Sequence, residues 1–281
     1  MTDLQAYEIQ LTNMDGPLPT HSVRGDSLRG LFYKHTDPKL AELLHSYGQK
    51  GNEHIAAPYS VSILSKEVDI KGKRENVLTG IRIAAFQSDL GNRLVEIWGA
   101  LAVKKGMIKL GNASLRVESI QPASLSNLSY AQIWEQSQPA FGLSIKFETA
   151  TFLERNGHLD RLPIPHVLWG YYLRRWEQYS PVDLPPHLLT WVEKCAYTRS
   201  ISIAIDEIPI NGNVSLKGFK GTVDFHIAMK DDSLPESRIK DYLRSWQMLA
   251  SFAEFCGTGE NTTEGFGRTR FVRAFGLQAE E

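Results

Sequence analysis

One order of secondary structure occurs twice along this chain: strand, helix, strand, strand, helix, strand. In the first half, Tyr7, Ile9 and Leu11 alternate with polar residues over 5–12, which is typical of a half-buried strand. Apolar spacing predicts the remaining elements as helices over 23–32, 37–45 and 90–101, and strands over 58–65, 76–84 and 114–120. The charged segment 66–76 is expected to be the turn between two of these strands. This order is that of the ferredoxin-like unit.

The second half repeats the order after a polar, proline-bounded stretch, 121–140, which is typical of a connection between domains. Its elements are predicted as strands over 141–147, 201–205, 223–227 and 268–275, and helices over 168–176, 188–195 and 235–256. Asn211-Gly212 is a hairpin turn signal. We therefore predict an α+β protein of two tandem ferredoxin-like (RRM-like) domains, at 1–125 and 140–276, with a C-terminal glycine-rich loop.

Length and composition agree with two packed domains. The chain has 281 residues, 42% of them hydrophobic, and domains average about 150 residues. No apolar run reaches the roughly 18 residues of a membrane span, and the acidic start is unlike a signal peptide. Only two cysteines, Cys195 and Cys256, are present, which argues against a disulfide framework and fits a reducing compartment. We expect a soluble protein of the cytoplasm.

The charge balance does not indicate a nucleic-acid-binding protein. Thirty-one basic residues stand against 32 acidic ones, for a net charge of −1. Any polyanion would have to be held by a local basic cluster or by backbone N–H groups. The eight histidines are scattered and no His-x-x-x-His or paired cysteine spacing occurs, so we predict no metal site.

The most informative stretch is glycine-rich, CGTGENTTEGFGRTR at 256–270, between the last predicted helix and strand. A dinucleotide or P-loop motif would instead follow a strand and open a helix, and Thr262 stands where a third glycine is expected. Its glycines permit positive φ and leave N–H groups for an anion such as RNA phosphate: Gly257, Gly259, Gly265 and Gly267. A flexible turn is the alternative.

The same segment resembles the C-terminal glycine signature of the CRISPR-associated repeat-processing endoribonucleases of the RAMP superfamily. LKGFKGTVDFH at 216–226 is similar to the family's glycine-containing hairpin, and 147–179 is similar to its strand, loop and aromatic-rich helix. DPKLAELLHSYGQKG at 37–51 resembles its N-terminal active-site segment. The resemblance covers nearly the whole chain and implies a prokaryotic protein of two ferredoxin-like domains.

The resemblance implies cleavage of CRISPR repeat RNA, the maturation of pre-crRNA, without metal or cofactor. The ribose 2′-hydroxyl attacks the adjacent phosphorus and leaves 2′,3′-cyclic phosphate and 5′-hydroxyl ends, which requires an acid, a base and a cation. His45 falls where the family carries its active-site histidine, and imidazole, with an ordinary pKa of about 6.5, serves either role at neutral pH. Tyr33 matches a tyrosine of some members, and Lys50 is the candidate cation. Competing histidines are His54, His21 and His35.

For RNA binding, Arg268 and Arg270 alternate along the last strand and are expected on one face. An ordinary solvated strand face is the alternative. Phe266 either stacks on a base or packs beneath the loop. The complete predicted RNA-binding set is Lys217, Lys220, Gly257, Gly259, Gly265, Phe266, Gly267, Arg268 and Arg270.

Two other functions compete with the endoribonuclease. One is a non-catalytic crRNA-binding subunit of a CRISPR effector complex, and the other is a small-molecule enzyme that shares only the fold. The expected partner is CRISPR repeat RNA or crRNA, and the resemblance leaves open whether other Cas subunits join it. No membrane is expected, and a homodimer is allowed but has no support in the sequence.

Overall fold

The computed structural model describes residues 3–36, 38–47, 56–155, 157–211, 214–228 and 234–277. The chain forms two compact units. The N-terminal unit comprises 1–127, 207–216 and 261–266; the C-terminal unit comprises 128–206, 217–260 and 267–281. Within the described part of the chain, every helix is too short or too polar to cross a membrane.

The N-terminal unit is one antiparallel sheet packed against helices. Its strands are β1 (Gln5–Asn13), β2 (Tyr59–Ile70), β3 (Lys73–Ala85), β4 (Met107–Leu110) and β5 (Ala113–Pro122), in the order β2-β3-β1-β5-β4. Its helices are α1 (Gly25–His35), α2 (Pro38–Ser46) and α3 (Ser88–Val103), with a short 3-10 helix at Thr20–Ser22. Without β4, the sheet has the ferredoxin-like order.

The core of this unit forms because each element presents one apolar stripe to the sheet. Ile9 on β1 and Ile81 on β3 are fully buried cross-strand partners. On the helices, the ring of Phe32 lies 5.8 Å from that of Tyr59 and 5.9 Å from that of Trp98, between centroids. Burial of such aromatic side chains fixes α1 and α3 on the sheet.

The C-terminal unit repeats this arrangement with a larger aromatic core. Its helices are α4 (Tyr130–Gln136), α5 (Pro165–Tyr179), α6 (Leu188–Cys195) and α7 (Glu236–Cys256). Its strands are β6 (Ala140–Thr151), β7 (Leu153–Arg155), β8 (His158–Asp160), β9 (Ala196–Asn211), β10 (Val214–Ile227) and β11 (Thr269–Leu277), except that the parts of β9 and β10 within 207–216 are grouped with the N-terminal unit. The four-stranded sheet has the order β11-β6-β10-β9. The indoles of Trp169 on α5 and Trp246 on α7 stack at 3.6 Å, which holds the two helices together.

The predicted fold of two tandem ferredoxin-like units is confirmed, but one local expectation was wrong and several short elements were not predicted. The predicted turn at 66–76 is mostly strand, because β2 and β3 stay paired to Ile70↔Lys73. Ladder hydrogen bonds satisfy that backbone although its charged side chains lie in solvent. The connection at 121–140 contains α4, whose capping box joins Ser129 and Gln132 and which buries Ile133. Strand β4 and the β7-β8 hairpin were too short for the pattern to indicate.

Candidate active site and nucleic-acid interface

Two helices of the N-terminal unit bring Tyr33 and His45 into contact. On α2, Leu40 and Leu44 are buried, so the next residue, His45, lies on the exposed side of the helix. The rings of Tyr33 and His45 stack with centroids 4.6 Å apart and planes inclined by 9°. Stacking occupies one face of the imidazole, and its nitrogens lie at the ring edge, where they can exchange protons.

Tyr33 is fixed from behind by Tyr59, on β2. The two hydroxyl groups share a hydrogen bond, and Tyr59 is 1% exposed. Burial, and then the neighbouring Tyr33, raise the pKa of Tyr59 well above its usual value. Tyr59 therefore stays a neutral phenol and anchors the Tyr33 hydroxyl, while the face of the Tyr33 ring supports His45.

Arg29 adds a cation on the same side of α1, since it precedes Tyr33 by four residues. Its Nη1 lies 2.7 Å from Oε1 of Glu264, and the side chains of Arg29 and Glu264 are 44% and 9% exposed. Burial raises the pKa of Glu264, while Arg29 opposes and Asp26 adds to that increase. A half-exposed guanidinium is thus oriented by a nearly buried carboxylate.

The backbone of 261–266 holds Glu264 in place within the N-terminal unit. The Val61 N–H donates to the Thr262 carbonyl at 2.8 Å, and the Glu264 N–H donates to the Asn261 carbonyl at 2.8 Å. A Cβ at Gly25 would lie 2.9 Å from the Glu264 carbonyl oxygen, so the glycine that begins α1 permits this close approach. These contacts determine where the Glu264 carboxylate meets Arg29.

The rest of the glycine-rich loop packs within the C-terminal unit. The Thr258 N–H donates to the Gly267 carbonyl at 2.8 Å, and the Gly267 N–H donates to the Ala150 carbonyl at 3.0 Å. The four predicted loop glycines are buried, and the N–H of Gly257 is bonded to its own helix. Phe266, grouped with the N-terminal unit, is 1% exposed, which favours packing beneath the loop over base stacking.

Among the residues that the structure describes, Tyr33 and His45 are the only predicted catalytic residues in contact with each other. Lys50 and His54 lie outside the described residues. His21 is exposed in the 3-10 helix. His35 is half-buried beside Trp98, and burial followed by the charge of Lys34 lowers its pKa.

Sequence reasoning missed Arg29, Tyr59 and Glu264. The four-residue spacing from Arg29 to Tyr33 was a usable signal, because it places both on one helix face. Nothing in the pattern could connect Glu264 with α1, since the two are more than two hundred residues apart in the chain.

The predicted basic residues of the C-terminal unit are largely paired with carboxylates. Arg268 and Arg270 reach one face, as their alternation predicts, and their Nε atoms lie 2.8 and 3.2 Å from the two oxygens of Glu148. Lys220 pairs with Asp206 at 3.4 Å. Lys217 is exposed on β10. In the described ranges, no cluster of three or more His, Cys, Asp or Glu side chains is close enough to hold a metal ion.

Comparison with known proteins identifies a family model and solved structures that are similar to this chain. Residues 145–269 match the family model of the CRISPR-associated endoribonuclease Cas6. The Cas6 resemblance is confirmed. No curated protein sequence matches the chain.

Solved Cas6 structures share the fold over nearly the full length. The chain is similar to a Cas6 (TTHA0078) product complex, with a TM-score of 0.71, 24% identity, and 96% of this chain and 99% of that chain covered. A Cas6 (TTHB231) product complex has a TM-score of 0.74 and 19% identity, with 96% of this chain and 100% of that chain covered. Thermus thermophilus Cas6 (TTHB231) has a TM-score of 0.70 and 18% identity, with 97% of this chain and 99% of that chain covered. At these identities the likeness establishes the Cas6 fold.

Proposed function

We propose that this chain is an endoribonuclease that cleaves the repeat sequence of CRISPR transcripts. The stacked Tyr33–His45 pair, with Arg29 on the same helix as Tyr33, is the observation that carries the proposal. The Cas6 match over 145–269 supports RNA cleavage, as do similar structures described as Cas6 substrate-mimic and product complexes.

His45 moves the proton in the proposed reaction. Attack of a 2′-hydroxyl on the neighbouring phosphorus forms the cyclic phosphate and breaks the bond to the 5′-oxygen. An imidazole either takes the 2′-hydroxyl proton or gives one to the departing 5′-oxygen, and the exposed ring edge of His45 suits both roles. No metal is needed for this route, because the nucleophile belongs to the RNA itself.

Tyr33 positions His45, and Arg29 stabilises charge. Tyr33 supports one face of the imidazole while its hydroxyl is bonded to Tyr59, so it acts through orientation. Arg29 offers its planar guanidinium to the phosphate oxygens that gain charge in the transition state. Lys50 stays a predicted second cation.

The RNA backbone is proposed to contact the basic residues of the C-terminal unit. Lys217 is exposed, and Arg268 and Arg270 share one carboxylate, so a phosphate competes with Glu148 for two guanidinium groups. A local cluster of this kind holds RNA despite the net charge of −1.

The decisive experiment uses end-labelled cognate repeat RNA with excess EDTA. Wild-type protein is expected to leave a 2′,3′-cyclic phosphate, and His45→Ala to bind equally but cut at least about a hundredfold more slowly. His158→Ala is the matched control because that histidine is exposed on β8 of the C-terminal unit, and it should cut like wild type.

Three outcomes contradict the proposal in different ways. Cutting of RNA that carries a 2′-deoxyribose at the scissile position excludes attack by the 2′-hydroxyl. Loss of cutting in EDTA excludes the metal-independent route. Tight binding by wild type and His45→Ala without product from either identifies a crRNA-binding subunit.

A further inference from the structure

The outer face of the C-terminal sheet carries three aromatic rings in a row. On β10, Val223 and Phe225 are buried, so His226 lies on the opposite, outer face. The ring of His226 lies 5.5 Å from that of Tyr197 on β9 and 6.3 Å from that of Phe275 on β11, between centroids. We call Tyr197, His226 and Phe275 the aromatic platform.

A glycine on the central strand β6 lets the Phe275 ring lie against the sheet backbone. His226 and Phe275 are both register partners of Gly142, one from each neighbouring strand. A Cβ at Gly142 would come within 1.9 Å of the Phe275 ring, so this ring lies directly over the glycine backbone. A large side chain there would lift Phe275 away from the sheet.

Two arginines flank the rings. The guanidinium carbons of Arg199 and Arg273 lie 5.5 and 5.9 Å from the centroid of the Phe275 ring, within cation–π range. Neither forms an ion pair with a carboxylate of the described residues, whereas Arg268 and Arg270 share Glu148. Both side chains are exposed. Their charge is thus available to an anion next to the rings.

We propose that this face binds an unpaired RNA strand, with bases stacked on the aromatic platform and phosphates held by Arg199 and Arg273. The inference rests on the proposed function, because it takes RNA to be the substrate. Exposed rings on a four-stranded sheet bind unstacked bases, and neighbouring cations follow the backbone. Tyr197 is 45% exposed, which leaves room for a base on its ring. A fully paired duplex would not offer its base faces to these rings.

The test distinguishes the contribution of base stacking to RNA affinity from that of phosphate contacts. Fluorescein-labelled oligoadenylate is compared with an abasic ribose-phosphate strand of equal length, by anisotropy with the full-length protein. Stacking strengthens binding by about 5- to 100-fold per base in comparable sites, so wild type should prefer the intact strand to that extent. Phe275→Leu keeps Gly142 covered but removes the aromatic face, and should lose most of the preference without changing abasic binding.

Phe141→Leu is the matched control. Phe141 is adjacent to Gly142, so strand alternation directs its side chain to the other face of the sheet. This variant should bind both strands like wild type. Arg199→Gln provides a second variant that does not alter packing under the rings, and it should weaken both strands by about 3- to 10-fold through loss of one phosphate contact.

Equal binding of intact and abasic strands by wild type overturns the inference, as does an unchanged preference in Phe275→Leu. Repeat-RNA cleavage is measured on the same proteins. A wild type that cuts repeat RNA but shows no base preference refutes the platform alone. A wild type that prefers intact oligoadenylate yet never cuts repeat RNA refutes the proposed cleavage and leaves the platform standing.

Discussion

The two units have the same strand order but carry their proposed sites on different layers. In the N-terminal unit, the proposed catalytic side chains Tyr33 and His45 are on helices, whereas the aromatic platform of the C-terminal unit is on strands. The four strands that the two sheets have in common are arranged as β5-β1-β3-β2 in the N-terminal unit and as β11-β6-β10-β9 in the C-terminal unit. In both sheets, the fourth of these strands along the chain lies next to the first, followed by the third and the second. The shared topology therefore does not distinguish the two proposed sites; they differ in the residues that lie just outside each apolar stripe.

The helices explain the difference. On α1 and α2, Phe32 and Leu44 end the buried stripe, and the next residues, Tyr33 and His45, turn outward and meet. On α7, nearly every residue from Tyr242 to Cys256 is buried, because this helix packs against other helices as well as the sheet. This part of α7 thus has little surface left for polar chemistry, whereas the outer sheet face is available.

The largest expected effect tests whether the glycine loop is a packed element. Gly267 has φ of 67°, and a Cβ would lie 1.9 Å from the Thr258 carbonyl oxygen. Gly267→Ala should lower the free energy of unfolding by about 3 kcal/mol or more, measured by urea denaturation. Gly30→Ala on α1 is the control: open space surrounds it, and stability should rise by about 0.5 kcal/mol. Equal stability of both variants would show that the loop is not packed as described.

Substitution of Arg29 tests the proposal that a cation on α1 stabilises the negative charge of the phosphate in the transition state. Arg29→Ala should slow single-turnover cleavage of repeat RNA by about a hundredfold, as loss of one preorganised donor does elsewhere. Arg29→Lys should recover part of the rate because it keeps the charge and loses the planar fork. Arg93→Ala, an exposed arginine on α3, is the control. An unchanged rate in Arg29→Ala would assign the charge to another cation such as Lys50.

Glu264 tests whether the orientation of Arg29 matters in addition to its charge. Glu264→Gln removes the ion pair but keeps the size of the side chain, so the cleavage rate should fall by about tenfold while RNA affinity stays constant. Glu260→Gln makes the same substitution in the same glycine-rich segment, at a carboxylate whose charged neighbours are Arg175, Glu154 and Arg174, and it should cut like wild type. If both variants lose rate equally, the loop acts through general stability.

The smallest expected effect concerns the pH dependence of stability. Each unit has a carboxylate that pairs with two cations, Glu118 in the N-terminal unit and Glu148 in the C-terminal unit. Hydrogen bonds from Arg116, then Thr12 and Lys105, lower the pKa of Glu118 to about 2 from an ordinary 4.5. A lowered folded-state pKa stabilises the protein above the ordinary value, and this contribution is lost as the pH falls toward 2.

Glu118→Gln should therefore be less stable than wild type at neutral pH, and the difference in urea midpoint should shrink as the pH falls below 4.5. Glu67→Gln, which removes an exposed pair with Arg74, should change the midpoint less. A constant difference for Glu118→Gln at every pH would show that its carboxylate does not contribute through charge.

Much of the fold was predictable from local pattern. Periodicity in apolar residues reflects which side of each element is buried, and this is a property of neighbouring residues in the chain. The predicted helices agree with α1, α2, α3, α5, α6 and α7 within a few residues. The turn between β2 and β3 was placed too broadly, because exposed charged residues in a paired hairpin carry no apolar signal.

The sequence by itself determined the two ferredoxin-like units and, through the resemblance, directed attention to Tyr33 and His45. Only the tertiary structure placed Arg29 beside Glu264, Tyr33 against Tyr59, and the rings of Tyr197, His226 and Phe275 in one row. The physical reason is the separation along the chain between the residues that interact. Burial patterns repeat over a few residues, whereas ion pairs and ring contacts join residues that are adjacent only after the chain has folded.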